Sequence, residues 1–241
     1  MAQAKASSAV RFDRGSPVIV VRNESNRPDT EVRGILRAVQ KQVDQHFFPL
    51  WGWRVKLVFE PKKPPKRAMT LLVKGKNSEF DGYHLIDGIP VGYVFTEEED
   101  ETPIKNYSVS FSHEVLEMIA DPGANLYAFG QYRSKHSGRK HWAFISYEVC
   151  DAVQEKTYPI DGVRVSDFVT PEWFEPERTR RSVPFSYKKA VHAPFQLAPG
   201  GYMDVLRGSR LITVDGPPLP KKKRKKPRQR NAIRKSVLGD L

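Results

Sequence analysis

Ser112-His113-Glu114-Val115-Leu116-Glu117-Met118-Ile119-Ala120-Asp121-Pro122 is the stretch from which the rest of the chain is read. Its apolar residues recur at helical spacing, which predicts a helix from about Ser108 to Asp121. Pro122 closes it, because proline disfavours helical geometry at the residue before it. At about 100° per residue, His113, Glu117 and Asp121 drift by only about 80° and so share one stripe. Phe111, Val115, Met118 and Ile119 fall largely off that stripe, as a face packed on a sheet would. His113 and Glu117, four residues apart, project together and can grip one cation. Asp121 stands about 12 Å along the axis from His113, too far to share that ion. It suits a turn former or an acceptor that orients a ligand. Its charge opposes the helix dipole, a cost that a cation would offset.

Outward from the motif, periodicity supplies the other elements. Val18-Ile19-Val20-Val21 reads as a strand within a polar N-terminal segment, residues 1–28. Asp29-Thr30-Glu31 starts a helix that buries Val32, Ile35, Leu36, Val39 and Val43 and closes at Pro49. Arg54 to Phe59, Met69 to Val73 and Val91 to Phe95 read as strands, the last being the natural edge for pairing with an extended peptide. Glu97-Glu98-Glu99-Asp100-Glu101 is a solvated loop. Beyond the motif, Trp142-Ala143-Phe144-Ile145 reads as a buried element. Asp161-Gly162 turns a hairpin between Tyr158–Ile160 and Val163–Val165. Pro171 to Pro184 reads as a loop or flap, and Phe195 to Val205 and Leu211 to Val214 as closing strands. Trp51, Trp53, Trp142 and Trp173 are expected as core or core-edge anchors, and Cys150 as a small buried apolar residue.

Composition bounds the class. The 241 residues can bury a substantial core, and a single cysteine excludes an internal disulfide framework and suits a reducing compartment. No apolar run reaches the length of a membrane span, and Met1-Ala2-Gln3-Ala4-Lys5 lacks a secretory hydrophobic stretch, so no membrane partner is expected. The formal charge is +12, and residues 217–241 carry +9 of it, ten basic side chains against Asp240. The body is nearly balanced. No P-loop, G-x-S-x-G, C-x-x-C or dinucleotide fingerprint is present, and Gly200-Gly201 reads as a turn.

The order of helix, strands and then a helix bearing H-E-x-x-E resembles the N-terminal half of zincin metallopeptidases, the gluzincins most of all. The likeness spans residues 29–122. It implies an α+β, zincin-like domain over residues 29–216, with a twisted mixed sheet packed on an active-site helix. Residues 217–241 are too polar and charged to pack and read as a disordered basic tail. It also implies a divalent metal, zinc first, and a peptide or protein substrate. In the H-E-x-x-H zinc hydrolases the glutamate acts as base on a metal-activated water, the role this likeness gives to Glu114. Tyr147–Asp151 and Val165–Phe174 are, in addition, similar to uncharacterised phage and bacterial proteins carrying H-E-x-x-E-x-x-x-D-P.

With His113 and Glu117 as two ligands, a third must arrive from elsewhere. Gluzincins use a downstream glutamate, and here Glu148 follows a run able to return it to the helix. Asp151 could orient His113. His136 and His141 compete for the third place from a polar loop. Tyr158 or His192 could donate to a developing oxyanion. A glutamate in place of the second histidine makes the ion a weaker Lewis acid and admits manganese, iron or calcium. Two functions are therefore carried forward: a metal-dependent hydrolase, a peptidase with Glu114 as general base, or a non-catalytic virion-associated or packaged protein with a zincin-like body. A nucleic-acid-binding protein without metal is a third. The tail residues Lys221, Lys222, Lys223, Arg224, Lys225, Lys226, Arg228 and Arg230 suit nucleic-acid phosphates, or nuclear import in a eukaryotic host, or solubility alone. The expected location is cytoplasmic or virion, and nuclear if the host is eukaryotic.

Overall fold

Ile19, Val20 and Val21 are all buried, as an apolar run in a central parallel strand must be. They belong to β1 (Val18–Glu24). Helix α1 (Asp29–Gln42) follows, with acidic Asp29 and Glu31 in its first turn and Val32, Ile35, Ala38, Val39 and Gln42 forming its buried face. It runs through one π-helical turn, Val43–Phe47, into the short α2 (Phe48–Trp51), which ends on Gly52 in the left-handed region at φ 73°. Three strands come next: β2 (Lys56–Phe59), β3 (Met69–Lys76) and β4 (Gly82–Asp87). Strand β5 (Ile89–Glu97) precedes the motif helix α3 (Tyr107–Ala120). The computed structural model describes residues 17–60, 62–63, 65–76, 81–97, 107–133, 138–175 and 183–219. Most of the acidic run, His136, half of the flap and the cationic run from Lys221 to Arg230 lie outside the described residues.

These strands form one five-stranded mixed sheet in the order β2-β1-β3-β5-β4. All neighbours are parallel except β4, which pairs antiparallel with β5. The expected edge strand is therefore corrected. Val91 to Phe95 lies inside the sheet, and β2 and β4 are its edges. Helix α3 packs on β5 and β4 and also touches α1.

The C-terminal half supplies a second sheet and a hairpin. Strands β6 (Tyr127–Arg133) and β7 (Lys140–Ser146) precede β8 (Thr157–Ile160) and β9 (Val163–Ser166). A one-turn helix, α4 (Pro171–Phe174), leads to β10 (Tyr202–Arg207) and β11 (Arg210–Asp215). The order β11-β10-β7-β6 is antiparallel throughout. The β8–β9 hairpin turns at Asp161-Gly162 as expected and packs on the Ser108–Ser112 face of α3, while Glu114 and Met118 face β4 and β5. The motif helix is thus enclosed on two sides, which explains a composition too apolar for a surface helix.

Two of the four tryptophans are core anchors, as expected. Trp51 and Trp173 are buried and donate their indole N–H to the carbonyls of Val169 (3.0 Å) and Gln196 (2.8 Å). Trp53 packs on Trp51 at the core edge, with ring centroids 5.2 Å apart, while Trp142 is exposed, which corrects its placement as an anchor. On β7 the side chains alternate, so Ala143 and Ile145 face the core while Trp142 and Phe144 face solvent. The β1 strand before residue 29 and the contact from Gly200 N to Pro217 O (2.9 Å) both belong to the folded body.

Asp167 is buried just past β9, its Oδ1 accepting from Lys188 N at 3.0 Å. Burial raises its pKa from 3.8 to about 6, against the lowering effect of its hydrogen bonds. The folded state therefore holds this proton more tightly than the unfolded chain. Its stabilising share is complete below about pH 4 and is lost as pH rises through about 6, at most roughly 3 kcal/mol. Asp167→Asn keeps an acceptor without the charge. Urea melts should show it near wild type at pH 4 and more stable at pH 7; equal stability at both would refute the assignment.

Candidate metal centre

The enclosure of α3 puts the side chains of His113, Glu114 and Glu117 inside the protein, at 2%, 0% and 0% exposure. Strand β4 brings a partner that sequence reasoning missed. Gly82 and His84 alternate inward, and a Cβ at Gly82 would meet Glu114 Oε1 at 2.9 Å, so only glycine lets the strand approach this closely. His84 lies with Nε2 3.0 Å from the carbonyl oxygen of Asp121 and Nδ1 3.3 Å from Glu114 Oε2. A carbonyl only accepts, so Nε2 carries the proton, and in a neutral ring Nδ1 presents a lone pair to the carboxylate. Two acceptors in that position repel. A cation between them, either a second ring proton or a metal ion, removes the conflict.

A second pair sits one turn away. His113 Nε2 lies 3.0 Å from Glu117 Oε1 and 3.2 Å from Asp151 Oδ1, and one N–H cannot point well at both. The segment bearing Cys150 and Asp151 docks by main chain, with Cys150 N donating to Glu117 Oε1 at 3.3 Å and Val169 N to Val149 O at 2.7 Å. Burial, then the carboxylates of Glu117 and Asp151, push the Cys150 thiol well above its ordinary range. It stays protonated and is the poorer donor.

Among the described residues two groups of donors converge, His84–Glu114–Glu117 and His113–Glu117–Cys150, each with its ligand atoms within 4.8 Å of one another. Glu117 belongs to both. These buried groups could hold a metal ion. A tetrahedral ion with bonds near 2.0–2.2 Å sets its donors about 3.3–3.6 Å apart, close to the 3.3 Å between His84 Nδ1 and Glu114 Oε2 and the 3.0 Å between His113 Nε2 and Glu117 Oε1. The charge also fits. Glu114, Glu117, Asp121, Glu148 and Asp151 are all buried in one region with two imidazoles, and buried carboxylates are costly without cations nearby.

The other expected residues fall as follows. Glu148 is buried but belongs to neither donor group. Asp121 forms the turn after α3, its Oδ2 accepting from Leu126 N at 2.8 Å, and its carbonyl is the group that fixes the His84 ring. Asp151 contacts the same nitrogen of His113 that faces Glu117. His141 is part-buried on β7 and tilts on Tyr132. Tyr158 is committed elsewhere, accepting from Gln42 Nε2 (3.0 Å) and contacting His46 Nδ1 (3.1 Å), and His192 is exposed. A signal for β4 did exist: Asp87-Gly88, with Gly88 at φ +68°, is a hairpin dipeptide directly before β5.

Among the described residues no helix is long and apolar enough to cross a membrane. Comparison with family models, curated proteins and solved structures returned no match to this chain.

Proposed function

We propose that the chain is a zincin-like protein holding one divalent cation, zinc in the first instance, between β4 and α3, in a body that does not hydrolyse peptides. His84, Glu114 and Glu117 are the donors. Bound there, the cation supplies an electrostatic link between the edge strand and the motif helix. The closure of Glu114 carries this reading: it has no exposed surface, lies against Gly82 and faces the His84 imidazole. A general base must reach both water and substrate, and a carboxylate in this position serves better as a ligand. The tail cations Lys221–Lys226, Arg228 and Arg230 would attract nucleic acid through its phosphates. Their charge alone supports that part, which leads to an assembly or packaging role.

A hydrolase is the second reading, favoured by the place of β4. An extended peptide could pair with this exposed sheet edge beside α3. Glu114 would then accept a proton from the attacking water and return it to the leaving amine.

Elemental analysis of wild type and Glu114→Gln separates the two. If Glu114 is a donor, wild type holds about one ion, and the variant loses metal and thermal stability together. If Glu114 is a base, the variant keeps its metal while cleavage of an unfolded protein substrate disappears. A wild type that takes up no zinc or manganese overturns both.

A further inference from the structure

The outer face of the β6–β7 hairpin carries a feature unconnected with the cation site. Phe129, Trp142 and Phe144 are 57%, 57% and 50% exposed. In an antiparallel pair, residues opposite each other share a face, and the register sets Phe129 against Phe144, Gln131 against Trp142 and Arg133 against Lys140. The three rings and the two cations therefore share one surface. Phe129 stacks on Trp142 at 5.0 Å between centroids and 15° between planes, and meets Phe144 at 5.3 Å. Leu206 opposite Phe144, then Leu211, extend the row across the sheet.

Two costs are built into this face. Exposed rings in a contiguous patch are unfavourable in water and mark interaction sites. Arg133 and Lys140, like charges directly opposed, destabilise the pairing. The whole stretch 127–146 holds four Lys or Arg and no Asp or Glu. One ligand chemistry relieves both costs, flat rings joined by anions. We propose that the outer face of β6–β7 is a stacking platform for single-stranded nucleic acid, with bases on Phe129, Trp142 and Phe144 and phosphates near Arg133 and Lys140. A protein interface would be expected to add acidic positions beside the rings, and residues 127–146 hold none. Duplex bases are already stacked and cannot lie on the rings.

The test uses the full chain with fluorescein-labelled oligo-dT and oligo-U, read by anisotropy across a salt series, and tryptophan fluorescence. Wild type should bind single strands with quenching of Trp142, more tightly than a duplex of equal length. Phe129→Ala with Trp142→Ala should weaken binding at least tenfold, the scale of losing one or two stacked bases, with the salt slope unchanged because no phosphate contact is removed. Arg133→Gln with Lys140→Gln should instead lower the slope by about 1.4. All four positions are at the surface, so melting temperatures should hold. Unchanged affinity in the aromatic variant overturns the proposal and assigns all binding to the tail. A wild-type dimer that becomes monomeric in that variant, with nucleic-acid affinity intact, also overturns it and gives the face to a second copy.

Discussion

Glu117→Gln is expected to lower zinc affinity by at least about a hundredfold, more than substitution of any other donor, because Glu117 alone belongs to both converging groups. Glutamine keeps the shape of the side chain, but its amide oxygen lacks the charge that holds a hard dication. Competition against a chromophoric chelator measures the affinity directly. A thermal measurement gives an independent readout. At a free zinc concentration 100 times the wild-type Kd, binding stabilises the folded state by about 2.7 kcal/mol, and a hundredfold weaker variant gains only about 0.4 kcal/mol. The zinc-dependent rise in melting temperature should therefore almost vanish, while the metal-free proteins melt close together. Wild-type affinity in Glu117→Gln would show that the donors do not converge on this carboxylate.

The largest effect on stability is expected from Phe111→Ala. Phe111 is fully buried on α3 and belongs to the main hydrophobic core, so its removal leaves a cavity there. Phenylalanine truncation at such positions costs about 3–5 kcal/mol, a large part of the roughly 5–15 kcal/mol that holds a folded chain. Urea denaturation should show that loss with an unchanged slope. Phe129→Ala, the same chemical change on the open face of β6, should stay within about 0.5 kcal/mol. A loss below about 1 kcal/mol at Phe111 would mean that α3 is not locked between the two layers.

Local pattern carried much of the architecture. The spacing of Phe111, Val115 and Met118 is a property of neighbouring turns, and α3 begins and ends within a residue of its expected limits. Asp161-Gly162 marks its hairpin because only a few residue types tolerate that turn. Strand β5 was recognised and yet misplaced at the edge, since alternation along a strand carries no information about which strand lies beside it. Trp142 shows the same limit in the other direction, because an apolar residue in a strand can face either side and only the packed layers decide which side is wet.

The sequence by itself determined that His113, Glu114 and Glu117 share one helix and that the positive charge gathers at the C-terminus. Helical geometry acts over four residues, and charge can be counted. Only the tertiary structure decided that His84, 30 residues before Glu114, and Cys150, 33 residues after Glu117, close around that helix. It also decided that Glu148 stays outside both donor groups and that three rings line an open face of the second sheet. Those outcomes depend on strand order and on which faces meet, which are set by burial of the whole chain and by no short stretch of it.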